Sequence, residues 1–240
     1  MRLKGKNMLP DELPVPGKPP VSLVPTSDGS FTLLHGEHGQ TYHSVHGAFQ
    51  EARHVFLEQG LCHYVHRNAA RPVRVLEVGF GTGLNFLVSA AYCLQHGIGL
   101  DYTGIEPAPV PPALLTESGY ADLLDLPEHR NAYLTWYPGR ETLHLSPAVQ
   151  LRLTQSSLMQ VASFPESDVL YFDAFAPSTQ PEMWTPDAIA HAVSALQPGG
   201  VFVSYSITGK LKRTLKELGF TVEKPKGAAG KREMIRAIRD

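Results

Sequence analysis

Two short constellations in this chain carry residue types that can do chemistry. The first is Glu77-Val78-Gly79-Phe80-Gly81-Thr82-Gly83. Glycines at alternate positions let a backbone turn tightly and let a ligand approach with no Cβ in the way. The dinucleotide fingerprint needs a further glycine where Leu84 stands, and the loop lacks the Gly-Lys-Ser/Thr of a triphosphate site. Both phosphate ligands are therefore disfavoured. A ligand with an amine, a carboxylate, a ribose diol and a sulfonium suits the loop better, and S-adenosylmethionine is such a ligand. Glu77 would attract its cationic groups, directly or through water. Loop N–H groups and the following helix N-terminus suit the carboxylate. Glu106 ends the next apolar run, where an acid can accept ribose hydroxyls.

The second constellation is Asp173-Ala174-Phe175-Ala176-Pro177, with Trp184 just beyond. An acid ending so apolar a run is costly unless it is used or paired. Methyl transfer to an amine needs a neutral amine, and a carboxylate in hydrogen-bond reach can orient its N–H and take the proton. Phe175 and Trp184 offer faces to a flat ring or a cation. The structural alternatives are a helix cap or an ion pair for Asp173, and plain packing for the two aromatics. His35, His38, His43 and His46 crowd twelve residues, but hairpin spacing scatters them and no acids join them, so no metal site is expected.

The elements that would position these residues follow from periodicity. Residues 1–25 hold six prolines and read as an extended arm. Residues 26–70 read as a hairpin, Phe31–His35 against Gln40–Ser44, and a helix between Gly47 and Gly60. Residues 71–240 alternate apolar strands with helices. Strands are expected at 73–78, 100–106, 149–154, 168–173 and 200–206, and helices at 84–95, 112–118, 121–136, 186–196 and 210–218. Phe220–Glu223 and Glu233–Arg239 close the chain as an antiparallel pair. This is an α/β pattern: a mostly parallel sheet covered on both faces, with an antiparallel C-terminal edge. Ligands of such sheets bind at the carboxyl ends of the strands.

The 240 residues suit one large domain with a small appendage. Neither Cys62 nor Cys93 sits in a metal or disulfide pattern, and no leader or membrane-spanning run is visible, so a cytoplasmic protein with no membrane association is expected. The net charge of −2 hides a basic end. From Lys210 to Asp240 ten Lys/Arg face four Asp/Glu, a net +6, which leaves about −8 before it. A polyanionic partner or a merely solvated surface would each explain that asymmetry.

Three strings then resemble one family. They are Leu76-Glu-Val-Gly-Phe-Gly-Thr-Gly-Leu-Asn85-Phe86-Leu87, Tyr171-Phe-Asp-Ala-Phe-Ala-Pro177 with Pro181-Glu-Met-Trp184 beyond, and Gly230-Lys231-Arg232-Glu233-Met234. Their order and spacing are similar to the methyltransferase half of the bacterial bifunctional tRNA 5-methylaminomethyl-2-thiouridine biosynthesis family (MnmC) and its stand-alone relatives (MnmD). The likeness runs from about Tyr42 to the last strand. The resemblance implies a Rossmann-like S-adenosylmethionine-dependent methyltransferase fold. It implies methylation of the aminomethyl group of 5-aminomethyl-(2-thio)uridine at the tRNA wobble position. It sets the cofactor against Glu77, Gly79, Phe80, Gly81, Thr82, Gly83, Asn85, Phe86, Glu106 and Asp173. It sets the base near Asp173, Phe175 and Trp184, with Tyr42, Lys231, Arg232 and Glu233 at the same mouth. An anticodon loop held by the basic C-terminal region is the implied partner.

Two departures from the family stand out. No flavin-binding oxidase portion is present, so no FAD is expected and a separate enzyme would supply the aminomethyl-uridine. Many relatives carry Gly-Asp where this chain has Thr154-Gln155-Ser156-Ser157, which leaves the adenine contact to Gln155, to a serine such as Ser156, or to backbone. The competing readings are a methyltransferase of the same fold acting on a small amine or a protein, and a non-catalytic RNA-binding module.

Overall fold

The computed structural model describes residues 21–36, 39–68, 72–139, 141–228 and 231–240. Most of the expected proline arm, and His38, lie outside them. Strand β1 (Val21–Pro25) belongs to that arm and pairs antiparallel with β2 (Phe31–His35), which pairs with the two-residue β3 (Gln40–Thr41). The expected hairpin is present as β2 and a β3 shortened to Gln40–Thr41, and β1 adds a third strand to it. Its turn is an Asp28 device: the carboxylate accepts from the Thr26 and Ser30 hydroxyls, each at 2.6 Å, beside Gly29 at φ 83°.

A continuous helical segment follows: α1 (Ala48–Glu51), an eleven-residue π-helix (Ala52–Cys62) and α2 (His63–Val65). Its apolar residues Ala52, Val55, Phe56, Leu57 and Leu61 are buried against the sheet. Gly60 permits the close approach, since a Cβ there would stand 2.8 Å from the Tyr171 ring.

The main sheet contains β4 (Val73–Val78), β5 (Leu100–Ile105), β6 (Leu143–Ser146), β7 (Val149–Thr154), β8 (Ser167–Phe172), β9 (Leu196–Ser204), β10 (Phe220–Glu223) and β11 (Ile235–Arg239). Their order is β10-β11-β9-β8-β4-β5-β7-β6. The five central strands are parallel, β11 and β6 run antiparallel to them on either side, and the edge strand β10 pairs antiparallel with β11. Strand β6 was not anticipated, although Leu143-His144-Leu145 alternates buried and exposed as an edge strand does. Helices α3 (Leu84–His96), α4 (Pro112–Ser118), α5 (Pro127–Trp136), α6 (Pro186–Val193) and α7 (Gly209–Glu217) connect the strands. The helix expected over 121–136 is split: Tyr120–Leu123 forms a 3₁₀ turn, and α5 begins at Pro127, whose fixed φ suits a first helical turn.

Two apolar layers cover the sheet's faces. At its amino edge Asp168, fully buried, accepts from the Arg74 backbone and guanidinium at 2.8 Å each. At its carboxyl edge the register sets the chemistry. Val78 pairs with Ile105 on one side and Phe172 on the other. The next residues, Gly79, Glu106 and Asp173, therefore leave the sheet side by side. The connections diverge on either side of β4, so the crevice of a doubly wound sheet opens there.

Candidate active site

A cavity of about 820 Å³ occupies that crevice, within the usual range for small-molecule sites. Its walls are the glycine loop, the loops after β5 and β8, Tyr205 after β9, the segment 39–45, Glu51 and Lys231.

The glycine loop is shaped by close contact. Gly79 has φ 85°, and a Cβ there would stand 2.5 Å from the Asp173 carbonyl oxygen. Gly81 has φ 50°, and a Cβ there would meet the Tyr42 ring at 3.0 Å. The Gly81 N–H donates to Glu106 Oε2 at 2.9 Å, and the Ala108 N–H to Oε1 at 2.9 Å. These bonds aim the Glu106 carboxylate along the wall and leave each oxygen a second lone pair for a ribose hydroxyl. Phe80 and Thr82 also line the cavity. The Thr82 hydroxyl meets His43 Nε2 at 2.7 Å, and burial pushes that imidazole down to about 4, so it stays neutral. Gly83, at φ 72°, starts α3 behind the wall.

Glu77 is placed differently from the expectation. It is fully buried and does not line the cavity. Its Oε1 accepts from Asn85 Nδ2 at 2.7 Å and its Oε2 from the Tyr102 hydroxyl at 2.8 Å. Asn85 Nδ2 also donates to Asp173 Oδ2 at 2.8 Å. One amide thus bridges the buried Glu77 and the half-buried Asp173, and Glu77 acts on the cavity through it. Burial, and then the neighbouring Asp173, hold Glu77 well above the usual carboxylate range. Asn85 Oδ1 is buried with no hydrogen-bond partner among the described residues. Phe86 is a core residue, edge-on to Tyr102 at 5.2 Å, and not a wall residue.

Asp173 lines the cavity beside Asn85. Its pKa is pushed up to about 8, chiefly by burial and then by the Glu51 charge; the Asn85 bond and Lys231 pull it back. Phe175 and Tyr42 meet edge-on at 5.2 Å, and His35 packs on both at 5.6 and 6.0 Å. Trp184 does not share this wall. It is buried edge-on against Phe172 at 5.0 Å, and its indole N–H donates to the Phe175 carbonyl at 2.8 Å. It braces Phe175 from behind because its large ring fills the layer under β8.

Of the C-terminal trio only Lys231 reaches the cavity. Its Nζ lies 2.6 Å from Glu51 Oε1 and 4.2 Å from the centre of the Tyr205 ring. Arg232 is exposed, and Glu233 pairs with Lys224 at 3.5 Å, because side chains alternate along the loop entering β11. Ser156 also misses the cavity; the next three residues, Ser157, Leu158 and Met159, line it where the chain turns into a 3₁₀ turn.

Glu51 was not singled out from the sequence. It is 5% exposed, holds Lys231, and accepts the Ser44 N–H at 2.9 Å, fixing the segment that carries Tyr42 and His43. The signal existed: an acid on the face of a helix shared with Ala48, Ala52 and Val55 is out of pattern. His35 was weighed in the sequence only as a metal ligand, and Tyr205 was not named as a site residue because it stands in no glycine or acid string. Among the described residues no group of three or more His, Cys, Asp or Glu could hold a metal ion.

The walls carry Glu51, Glu106, Asp173 and Glu182 against Lys231, so the cavity favours a cation. The glycine contacts leave no space for side chains where a ligand must approach. Asn85 lies behind the cavity wall and acts on it through its bond to Asp173. These features fit a methyl donor bearing an ammonium, a sulfonium and a ribose.

Comparison with known proteins agrees. Residues 127–240 match a family described as S-adenosyl-L-methionine-dependent methyltransferase. The tRNA 5-methylaminomethyl-2-thiouridine biosynthesis bifunctional protein MnmC of Magnetococcus marinus is 33% identical over 216 residues, 82% of this chain and 31% of that protein. Its namesake in Burkholderia thailandensis is 30% identical over 236 residues, 90% of this chain and 34% of that protein. The chain thus spans about a third of the length of these curated relatives. The crystal structure of MNMC2 from Aquifex aeolicus superposes with a TM-score of 0.72, at 24% identity, over 93% of this chain and 72% of that one. That likeness bears out the α/β sheet with its antiparallel C-terminal edge as a methyltransferase fold. The chain belongs to the family of the MnmC methyltransferase domain, whose cofactor is S-adenosyl-L-methionine.

Proposed function

We propose that this chain methylates the exocyclic amine of 5-aminomethyl-(2-thio)uridine at the wobble position of tRNA. The observation that carries the proposal is Asp173: a half-buried carboxylate with a pKa pushed up to about 8, at a cavity wall, beside the aromatic faces of Phe175 and Tyr42. The relatives named for 5-methylaminomethyl-2-thiouridine biosynthesis support it.

S-adenosylmethionine, when bound, supplies a methyl carbon made electrophilic by the sulfonium. The chain's own residues do the rest. Glu106, aimed by the Gly81 and Ala108 N–H groups, accepts ribose hydroxyls. Asp173 accepts an N–H of the neutral amine, orients its lone pair, and takes up the proton released as the C–N bond forms. A base with a pKa near the operating pH suits both tasks. Phe175 and Tyr42, packed edge-on against each other, offer an aromatic wall on which a splayed-out base stacks. Most of the catalytic effect is alignment of the amine with the methyl carbon in the cavity.

The test is nucleoside analysis of tRNA from cells lacking the gene, followed by treatment of that tRNA with purified protein and labelled cofactor. Accumulated aminomethyl-uridine, and its conversion in vitro by the native protein but not by Asp173→Ala, is the expected result. Transfer of label to protein or small amines, with tRNA untouched, would overturn the reading.

A further inference from the structure

We infer that the groove between α7 and β10 seats the sugar–phosphate backbone of the RNA strand whose base enters the cavity; this rests on the RNA substrate proposed above. The basic end of the chain is not one uniform patch. Lys224 is paired with Glu233, Lys231 with Glu51 and Arg236 with Glu223, and Arg239 donates to the carbonyls of Val193 and Leu196. Lys210, Lys212, Arg213 and Lys216 form no ion pair among the described residues.

All four sit on α7, whose opposite face buries Leu211, Thr214 and Leu215. The arrangement is unfavourable for the helix alone. Lys210 and Lys212 stand in the first turn, where the helix dipole repels cations. Lys212 and Lys216 are like charges four residues apart, which also destabilises a helix. An anion lying across them relieves both penalties. Lys212, Arg213 and Lys216 line a groove with Lys224 and Val222, and Glu217 is its one acid.

The groove joins the cavity through the chain itself. Tyr205 lines the cavity and α7 starts at Gly209, four residues on, so the two lie within about 14 Å along the backbone. On the other side, the loop after β10 begins at the groove residue Lys224 and passes Lys231 in the cavity. A strand with one base in the cavity is thereby led onto the α7 cations. Phosphates neutralised by lysine and arginine release counterions, which gives the contact a measurable salt dependence.

The test uses the full chain with Lys212→Gln, Arg213→Gln and Lys216→Gln together. All three are surface changes, so the fold is retained and the helix loses its like-charge repulsion. Dissociation constants for hypomodified tRNA are measured from 50 to 200 mM salt, with kcat and the cofactor Kd alongside. The expected result is RNA affinity at least tenfold weaker and a log–log salt slope shallower by about 2, at roughly 0.7 per single-strand contact. The kcat at saturating RNA and the cofactor Kd stay within twofold. An unchanged slope and affinity overturn the inference. Variant-sensitive binding to vesicles of anionic phospholipid, with an unchanged RNA slope, overturns it in favour of a lipid surface. Failure of the native protein to methylate tRNA refutes the substrate reading; methylation with an unaltered slope in the variant refutes the groove alone.

Discussion

Cofactor binding is expected to drive a proton out of the protein, and Asp173 is its source. Its ordinary value of 3.8 is raised to about 8, chiefly by burial and then by the Glu51 charge. At pH 7 about ten protonated copies then exist for each ionised one. A bound sulfonium and ammonium favour the carboxylate. If they bring its pKa to about 6, roughly 0.8 proton leaves per cofactor bound at pH 7, and affinity improves toward tenfold per pH unit between 6 and 8. Calorimetry at pH 7 in two buffers of different ionisation enthalpy counts that proton. Asp173→Asn supplies the reference, because protons belonging to the cofactor cancel in the difference. The same raised pKa has a stability sign: its contribution is full at acid pH and is lost as pH rises through 8. Asp173→Asn should therefore gain stability over the native protein with rising pH, by a few kcal/mol at pH 9, at about 1.4 kcal/mol per pKa unit. Equal proton counts in the native protein and the variant would refute the reasoning.

Three further outcomes are expected. Gly79→Ala places a Cβ against the Asp173 carbonyl at a positive φ; it should cost about 1–3 kcal/mol in denaturant unfolding and weaken the cofactor Kd, and native-like values would contradict the close packing. Glu51→Gln removes a charge that raises the Asp173 pKa, and Lys231→Met removes one that lowers it. The midpoints of the kcat/KM against pH curves should therefore move in opposite directions, acid for the first and alkaline for the second; shifts of one sign would disprove the coupling. Trp184→Phe loses the bond to the Phe175 carbonyl, so the acceptor KM should rise several-fold, for about 1 kcal/mol, with the cofactor Kd unchanged.

The glycine loop, Glu106 and Asp173 were legible in the sequence because a parallel sheet delivers the residues after its strands to one edge. The five parallel strands were legible for the same reason: buried strands are continuous apolar runs. What escaped depends on partners far away in the chain. Glu77 looked like a ligand residue because it adjoins the glycines, yet side chains alternate along β4 and Tyr102 and Asn85 claim it from within the core. Trp184 looked like a platform, but its indole faces Phe172. Ser156 and Arg232 missed the cavity by a single residue, since neighbouring side chains in an extended segment face apart. Glu51 needed the fold to be noticed, as Lys231 lies 180 residues away.

That last separation bears on the order in which the molecule assembles. Three polar contacts join the π-helical region to the final loop and strand: Glu51 to Lys231, His54 to the Lys226 carbonyl, and Gln59 to Arg236, each more than 170 residues apart. Contacts of such long range carry the largest loop-closure entropy and form late. During synthesis, the glycine loop and its strand leave the ribosome with residues 226–236 still unmade. The cavity is closed only when that last segment docks beside the first helix. Competence to hold a ligand is thus gained in one late step, and a nascent chain lacking that segment presents no finished cavity.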